Sequence, residues 1–140
     1  MKRFATANWK GSGKEGRGSL NVQSNLLQNV PYNYVSRFED GKDTNPEELI
    51  AAAHAGCFSM KLSFVLGNAG FTPENIDTRC EITLESGTIT SSHLTVKASV
   101  PNITSEKFQE AVKDARTNCP VSKALNCEIT SEATLEQVHA

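Results

Sequence analysis

Thr44-Asn45-Pro46-Glu47-Glu48-Leu49-Ile50-Ala51-Ala52-Ala53-His54-Ala55-Gly56-Cys57-Phe58-Ser59-Met60-Lys61-Leu62-Ser63-Phe64-Val65-Leu66-Gly67 is the stretch from which the fold is read. Proline fits a first helical turn, where its missing N–H is an orphan anyway. Thr44 or Asn45 can cap, and Glu47 or Glu48 follows about three positions on, as a capping box requires. Both acids suit the positive end of a helix dipole. Gly67 and Gly70 offer the left-handed conformation that closes a helix. The pattern predicts a helix of roughly Pro46 to Leu66 within the segment 44–67. At 100° per residue, Ile50, Ala53, Cys57, Lys61 and Phe64 fall within about 40° of one line. Cys57 is therefore expected mid-helix on a mostly apolar face. Leu49, Leu62, Val65 and Leu66 lie off that line, so the helix needs cover on more than one side, which a second copy of the chain can supply.

Working outward, residues 1–38 read as strands and turns. Gly11 to Gly18 is glycine-rich and reads as a hairpin loop. Leu20, Val22 and the run through Tyr32, Tyr34 and Phe38 alternate as strands do, and Asp40-Gly41 marks a turn. Beyond the helix, the segment 78–101 holds two alternating stretches, Cys80 to Glu85 and Leu94 to Val100, expected as antiparallel strands with one buried face each. The segment 104–135 opens with Thr104-Ser105-Glu106 at the start of a second helix. That helix should turn Phe108, Val112 and Ala115 inward and end near Asn118. A short turn follows at Cys119-Pro120, then a final strand with Cys127, Ile129, Ala133 and Leu135 on one side. Strands before, between and after two helices give an α+β fold, antiparallel sheets packed on a long central helix, in a single domain over 1–140.

The 140 residues carry 14 Lys and Arg against 16 Asp and Glu, a net charge of −2 that leaves no electrostatic footprint for nucleic acid or an anionic membrane. Met1 to Lys10 has no apolar leader core, and no uncharged apolar run approaches the length of a membrane span. A cytoplasmic setting is the default expectation. There thiols stay reduced unless their chemistry is catalytic or redox-sensing, so four cysteines are not read as a disulfide framework.

Two of the four stand out. Cys57, placed mid-helix, gains nothing from its own helix dipole, and packing alone accounts for a thiol on an apolar face. A reactive thiolate needs a cation beside it. Lys61 lies one turn on, His54 one turn back, and Arg37 can arrive from the preceding segment. Arginine suits the role best, because its charge is fixed and its fork binds oxygen atoms. Cys119, just before Pro120, stands at a helix N-terminus, where free amides favour a thiolate; packing accounts for it equally well. Cys80 and Cys127 occupy inward strand positions and read as inert. His54 and Cys57 are spaced to share a metal, but no Cys-x-x-Cys or His-x-His pair completes a set, and His93 and His139 have no ligand pattern around them. Gly11-Ser12-Gly13-Lys14-Glu15-Gly16 matches a dinucleotide fingerprint in letters only, because a strand follows it rather than a helix.

Arg37-Phe38-Glu39, Thr44 to Ile50 and Ala52-Ala53-His54-Ala55-Gly56-Cys57-Phe58-Ser59-Met60 together resemble the central block of the osmotically inducible protein C (OsmC) family. Asn118-Cys119-Pro120-Val121-Ser122-Lys123-Ala124-Leu125 resembles its second cysteine block. Trp9, Gly11 and Gly70-Phe71-Thr72-Pro73 also fit, so the resemblance covers nearly the whole chain. Phe58-Ser59-Met60 and Val121-Ser122 favour the OsmC branch over the organic hydroperoxide resistance (Ohr) branch.

The resemblance implies a thiol-dependent peroxidase acting on organic hydroperoxides and more weakly on hydrogen peroxide. It also implies an intertwined homodimer, no cofactor, and a dithiol reductant, with a lipoyl type as one possibility. By position Cys57 takes the peroxidatic role and Cys119 the resolving role, with Arg37 and Glu47 as charged partners. Phe58, Met60 and Ile50 are expected near the thiol. A non-catalytic dimeric module that senses redox state or binds a ligand is the alternative, and a metal protein a more distant one. Glu47 precedes Cys57 by ten residues, about 15 Å of rise and roughly 80° of rotation on a straight helix. Glu47 is therefore expected to meet the reactive thiol of the other subunit, unless the helix breaks near Leu49.

Overall fold

The computed structural model describes residues 1–38 and 41–136. The expected turn residue Asp40, Glu39 of the family block, and His139 lie outside the described residues. The chain divides into two units, Met1–Leu49 and a second beginning at Ile50.

In the first unit, β1 (Ala5–Lys10), β2 (Arg17–Val22) and β3 (Val30–Tyr32) form an antiparallel sheet in chain order. The glycine-rich stretch is the β1–β2 hairpin loop. Ser12 organises it: its carbonyl accepts from Gly16 N–H and Trp9 Nε1, and its hydroxyl accepts from Glu15 N–H. Gly18 pairs with Trp9 on one side and Tyr32 on the other, and the two rings close over it with centroids 5.4 Å apart. A Cβ at Gly18 would collide with both.

The alternation read through Tyr34 and Phe38 is not a strand. Tyr34–Phe38 is a short helix, α1. Asn33 overrides the pattern by capping it: Asn33 Oδ1 accepts from Ser36 N–H at 2.9 Å and its carbonyl from Arg37 N–H. Buried Ser36 then ties α1 to the chain ahead. Its hydroxyl accepts from Asp43 N–H and its carbonyl from Asn45 Nδ2. Gly41 approaches Ser36 so closely that a side chain there would not fit.

The long helix, α2, runs unbroken over Pro46–Asn68, with no interruption at Leu49. Asn45 is its cap, accepting from Glu48 N–H at 2.8 Å. At the other end Gly70 adopts φ +92°, Phe71 N–H bonds Leu66 C=O and Gly70 N–H bonds Gly67 C=O. Of the two glycines expected to end the helix, Gly70 makes this paired closure and Gly67 stays inside the last turn.

In the second unit, β4 (Asn75–Glu85) and β5 (Thr88–Ser99) are an antiparallel hairpin. Its two-residue turn, Ser86-Gly87, has both φ values positive, as right-twisted strands require. α3 (Ser105–Asn118) is capped by the Thr104 hydroxyl and buries Phe108, Ala111, Val112 and Ala115. α4 (Pro120–Ala124) follows, and β6 (Glu128–Glu136) returns alongside β5. This pair is parallel, so the sheet is mixed rather than purely antiparallel. The reason is connectivity: α3 and α4 form a crossover long enough to bring the chain back in the same direction.

The core gathers Phe58, Leu62 and Leu66 of α2, Leu94, Val96 and Ala98 of β5, the inward side chains of α3, and Cys119. The buried line on α2 is thus His54, Phe58, Leu62 and Leu66, four residues apart, and the line through Cys57 and Phe64 flanks it. Apolar residues surround the whole helix, so periodicity carried almost no directional signal. Met60 and Phe64 are 65% and 64% exposed. An 18-residue window of α2 reaches mean hydropathy 1.6, enough by composition to cross a membrane, yet 22% of that window is buried within the chain, where its side chains build the core.

Candidate active site

The four expected site residues fall into two pairs, one in each unit. The first is Arg37 and Glu47. α1 carries Arg37 in its last turn, and α2 carries Glu47 in its first. The Ser36 ties described above bring these turns together, and Arg37 Nε donates to Glu47 Oε1 at 2.7 Å. Glu47 is buried, while the Arg37 side chain is 44% exposed. The guanidinium is thus anchored on one side and open on the other. It lies against the Phe38 ring and lines an apolar cavity of about 250 Å³ with Trp9, Tyr32 and Tyr34.

The second pair is Cys57 and Cys119. Cys57 is half-buried and Cys119 fully buried, and both are free thiols. The Cys119 side chain and the backbone N–H of Val121 lie near enough to the Cys57 thiol for both to act on its proton. Val121 is the second residue of α4, so its N–H is one of the orphan donors of a helix start. The helix N-terminus expected to serve Cys119 thus acts on Cys57, while the Cys119 side chain makes no capping hydrogen bond. Burial pushes the Cys57 thiol above its ordinary value, and the interaction with Cys119 adds to this. The Val121 N–H and the charge of Lys61 pull the other way.

Phe58, expected near the thiol, is buried in the core. Met60 is exposed and Ile50 partly buried. Cys80 does not merely pack. Its sulfur lies 3.1 Å from the Ser92 hydroxyl, and burial raises its thiol as the largest influence on it. Cys127 is half-buried just ahead of β6.

Sequence reading missed the surroundings of His54. Its ring is fully buried. Nδ1 lies 2.6 Å from the Ser92 hydroxyl on β5, and Nε2 lies 2.7 Å from the Ser122 hydroxyl on α4. Both nitrogens thus face hydroxyls rather than a common ligand position. Burial holds His54 below its ordinary value, which keeps the ring neutral. One nitrogen then donates and the other accepts. A signal for this pairing was present: His54 stands three residues before Cys57, and Ser122 three after Cys119.

The model of the OsmC-like protein family matches residues 39–134. The chain is 44% identical over 134 residues to the peroxiredoxin OsmC of Escherichia coli (strain K12), covering 93% of this chain and 94% of that one. It is 27% identical to an organic hydroperoxide resistance protein-like 2 of Staphylococcus epidermidis, over 95% of this chain and 96% of the relative. Among solved structures, an OsmC-like protein from Mycoplasma pneumoniae superposes with a TM-score of 0.76 at 14% identity, covering 99% of each chain. The organic hydroperoxide resistance protein OhrB of Bacillus subtilis gives 0.65 at 22% identity, over 95% of this chain and 98% of that one.

Proposed function

The chain belongs to the OsmC family, and from that membership we propose that it is a thiol-dependent peroxidase that reduces organic hydroperoxides, and hydrogen peroxide more weakly, in the cytoplasm. The observation that carries this reading is the Cys57 thiol held against Cys119 and the Val121 N–H. A Cys57 thiolate attacks one peroxide oxygen, and the O–O bond breaks. The sulfur becomes a sulfenic acid and the other oxygen leaves as an alcohol, taking up a proton. Cys119, as thiolate, then attacks the Cys57 sulfur. The S–S bond forms, the S–O bond breaks, and hydroxide leaves as water. A dithiol, of which a lipoyl type is one candidate, reopens the disulfide by exchange and is itself oxidised.

Arg37 is the cation this scheme needs. It favours the thiolate and then stabilises negative charge on the departing oxygen. Glu47 holds it in place. On the unbroken α2, Glu47 is ten residues from Cys57, so the pair acts at the thiol of the partner subunit of a homodimer. The exposed Met60 and Phe64 of α2 supply the apolar surface for that dimer. The aromatic cavity beside Arg37 suits the organic half of the substrate.

Reduced protein with excess dithiol should consume cumene hydroperoxide, and Cys57→Ser should not. Cys119→Ser should still form the sulfenic acid but no Cys57–Cys119 disulfide on mass spectrometry. No turnover by the wild type, or full activity in Cys57→Ser, would sink the peroxidase reading.

A further inference from the structure

We propose that His54 is a positioning residue, which fixes α4, and with it Cys119 and the Val121 N–H, against Cys57 through the bond between its Nε2 and the Ser122 hydroxyl. The inference rests on the reading of Cys57 and Cys119 as the working pair. Cys57 and His54 sit one turn apart on α2, and Val121 and Ser122 are neighbours on α4. The two elements are therefore joined at adjacent points. One is the interaction of the Cys57 thiol with Val121, which the chemistry itself must break and remake. The other is the 2.7 Å bond from His54 to Ser122, which no proposed step disturbs. The second can hold the geometry while the first changes.

The other side of the ring shows why a histidine is suited to this. Nδ1 meets Ser92 at 2.6 Å, and Ser92 is itself fully buried on the inward face of β5, with the Cys80 sulfur 3.1 Å from its hydroxyl. A neutral imidazole is a rigid spacer with a polar atom at each end. It braces α4 from the sheet across α2, where an aliphatic side chain of equal volume would leave the Ser122 hydroxyl without its His54 partner and Ser92 with only the Cys80 sulfur. A filler of the core needs neither bond, so the two roles separate by experiment.

Glutamine places its amide near the ring's Nε2 position, and asparagine near Nδ1. His54→Gln therefore keeps the tie to Ser122, and His54→Asn keeps only the tie to Ser92. The reduced full-length variants are mixed with one equivalent of cumene hydroperoxide. Sulfenic acid is trapped with dimedone, and disulfide is counted by mass spectrometry. In His54→Asn and Ser122→Ala, disulfide formation should slow on the order of tenfold while sulfenic acid forms at least as fast as in the wild type and accumulates. His54→Gln should stay close to wild type. In parallel, the pH dependence of Cys57 alkylation by iodoacetamide should shift downward in His54→Asn and Ser122→Ala, because loosening α4 removes burial and the Cys119 thiol, which together outweigh the Val121 N–H, and not in His54→Gln. Wild-type behaviour in Ser122→Ala, or equal impairment of His54→Gln and His54→Asn, would overturn the proposal. A wild type that resists peroxide would instead remove the peroxidase reading. The alkylation profiles would still decide for or against His54, and Ser122→Ala carries the test if His54→Asn fails to fold.

Discussion

Cys57 is held by neighbours of opposite effect. Burial and a second thiol keep its proton on, while one helix-terminal N–H and one lysine draw it off. The thiol pair itself was visible in the sequence, because cysteines followed by distinctive residues stood at two helix positions. The Val121 N–H was not, since a backbone donor has no letter and its direction depends on where α4 docks. His54 carries its own consequence at this scale. In the unfolded chain it takes up a proton near its ordinary 6.5, whereas buried in the fold it resists until the pH is lower. Below about pH 6.5 the unfolded state therefore binds more protons, and stability falls as the pH falls. Urea unfolding between pH 7.5 and 5 should show this loss, and His54→Gln should flatten it. An unchanged slope in that variant would assign the loss to other groups. Glu81 and Glu132, both lowered by hydrogen bonds from Arg79 and His93 respectively, act in a separate window below their ordinary 4.5.

Among the elements, α2 was the most legible and also the most misleading. Its cap, proline, acids and closing glycines are local signals, and they stand within two residues of where they were read. Its buried face is a tertiary property. With alanines and large apolar residues on all sides, only docking against β5 and α3 selects the line through Phe58 and Leu62. What the unit leaves uncovered is the basis of the proposed dimer. Phe64→Glu should convert the protein to a monomer in sedimentation velocity, and the alkylation midpoint of Cys57 should rise as the partner's Arg37 is lost. A monomer with an unchanged midpoint would refute action across the subunits. In the N-terminal sheet, Gly18 sits between the Trp9 and Tyr32 rings. Gly18→Ala forces them apart and should cost about 1–3 kcal/mol, read as a lowered melting temperature with a changed near-ultraviolet aromatic signal. The short helix α1 was missed because tyrosine and phenylalanine at alternate positions mimic a strand, and one asparagine cap outweighed them.

For the whole molecule, the order of strands in the second sheet governs when the site exists. Its middle strand, β5, has its hairpin partner β4 immediately before it, but its other neighbour is β6, the last element described. The α+β class was readable from element order, whereas the parallel return of β6 depends on the crossover's path and left no local trace. A ribosome adds 79 residues after Cys57 to reach Glu136, about 4–16 s of synthesis at ~5–20 residues per second. From the completion of α2 at Asn68 until α4 is added at Pro120–Ala124, the nascent chain holds a central helix whose thiol has no α4 against it. The two thiols can therefore meet only once α4 has been made, and a chain still short of it carries Cys57 without Cys119 beside it.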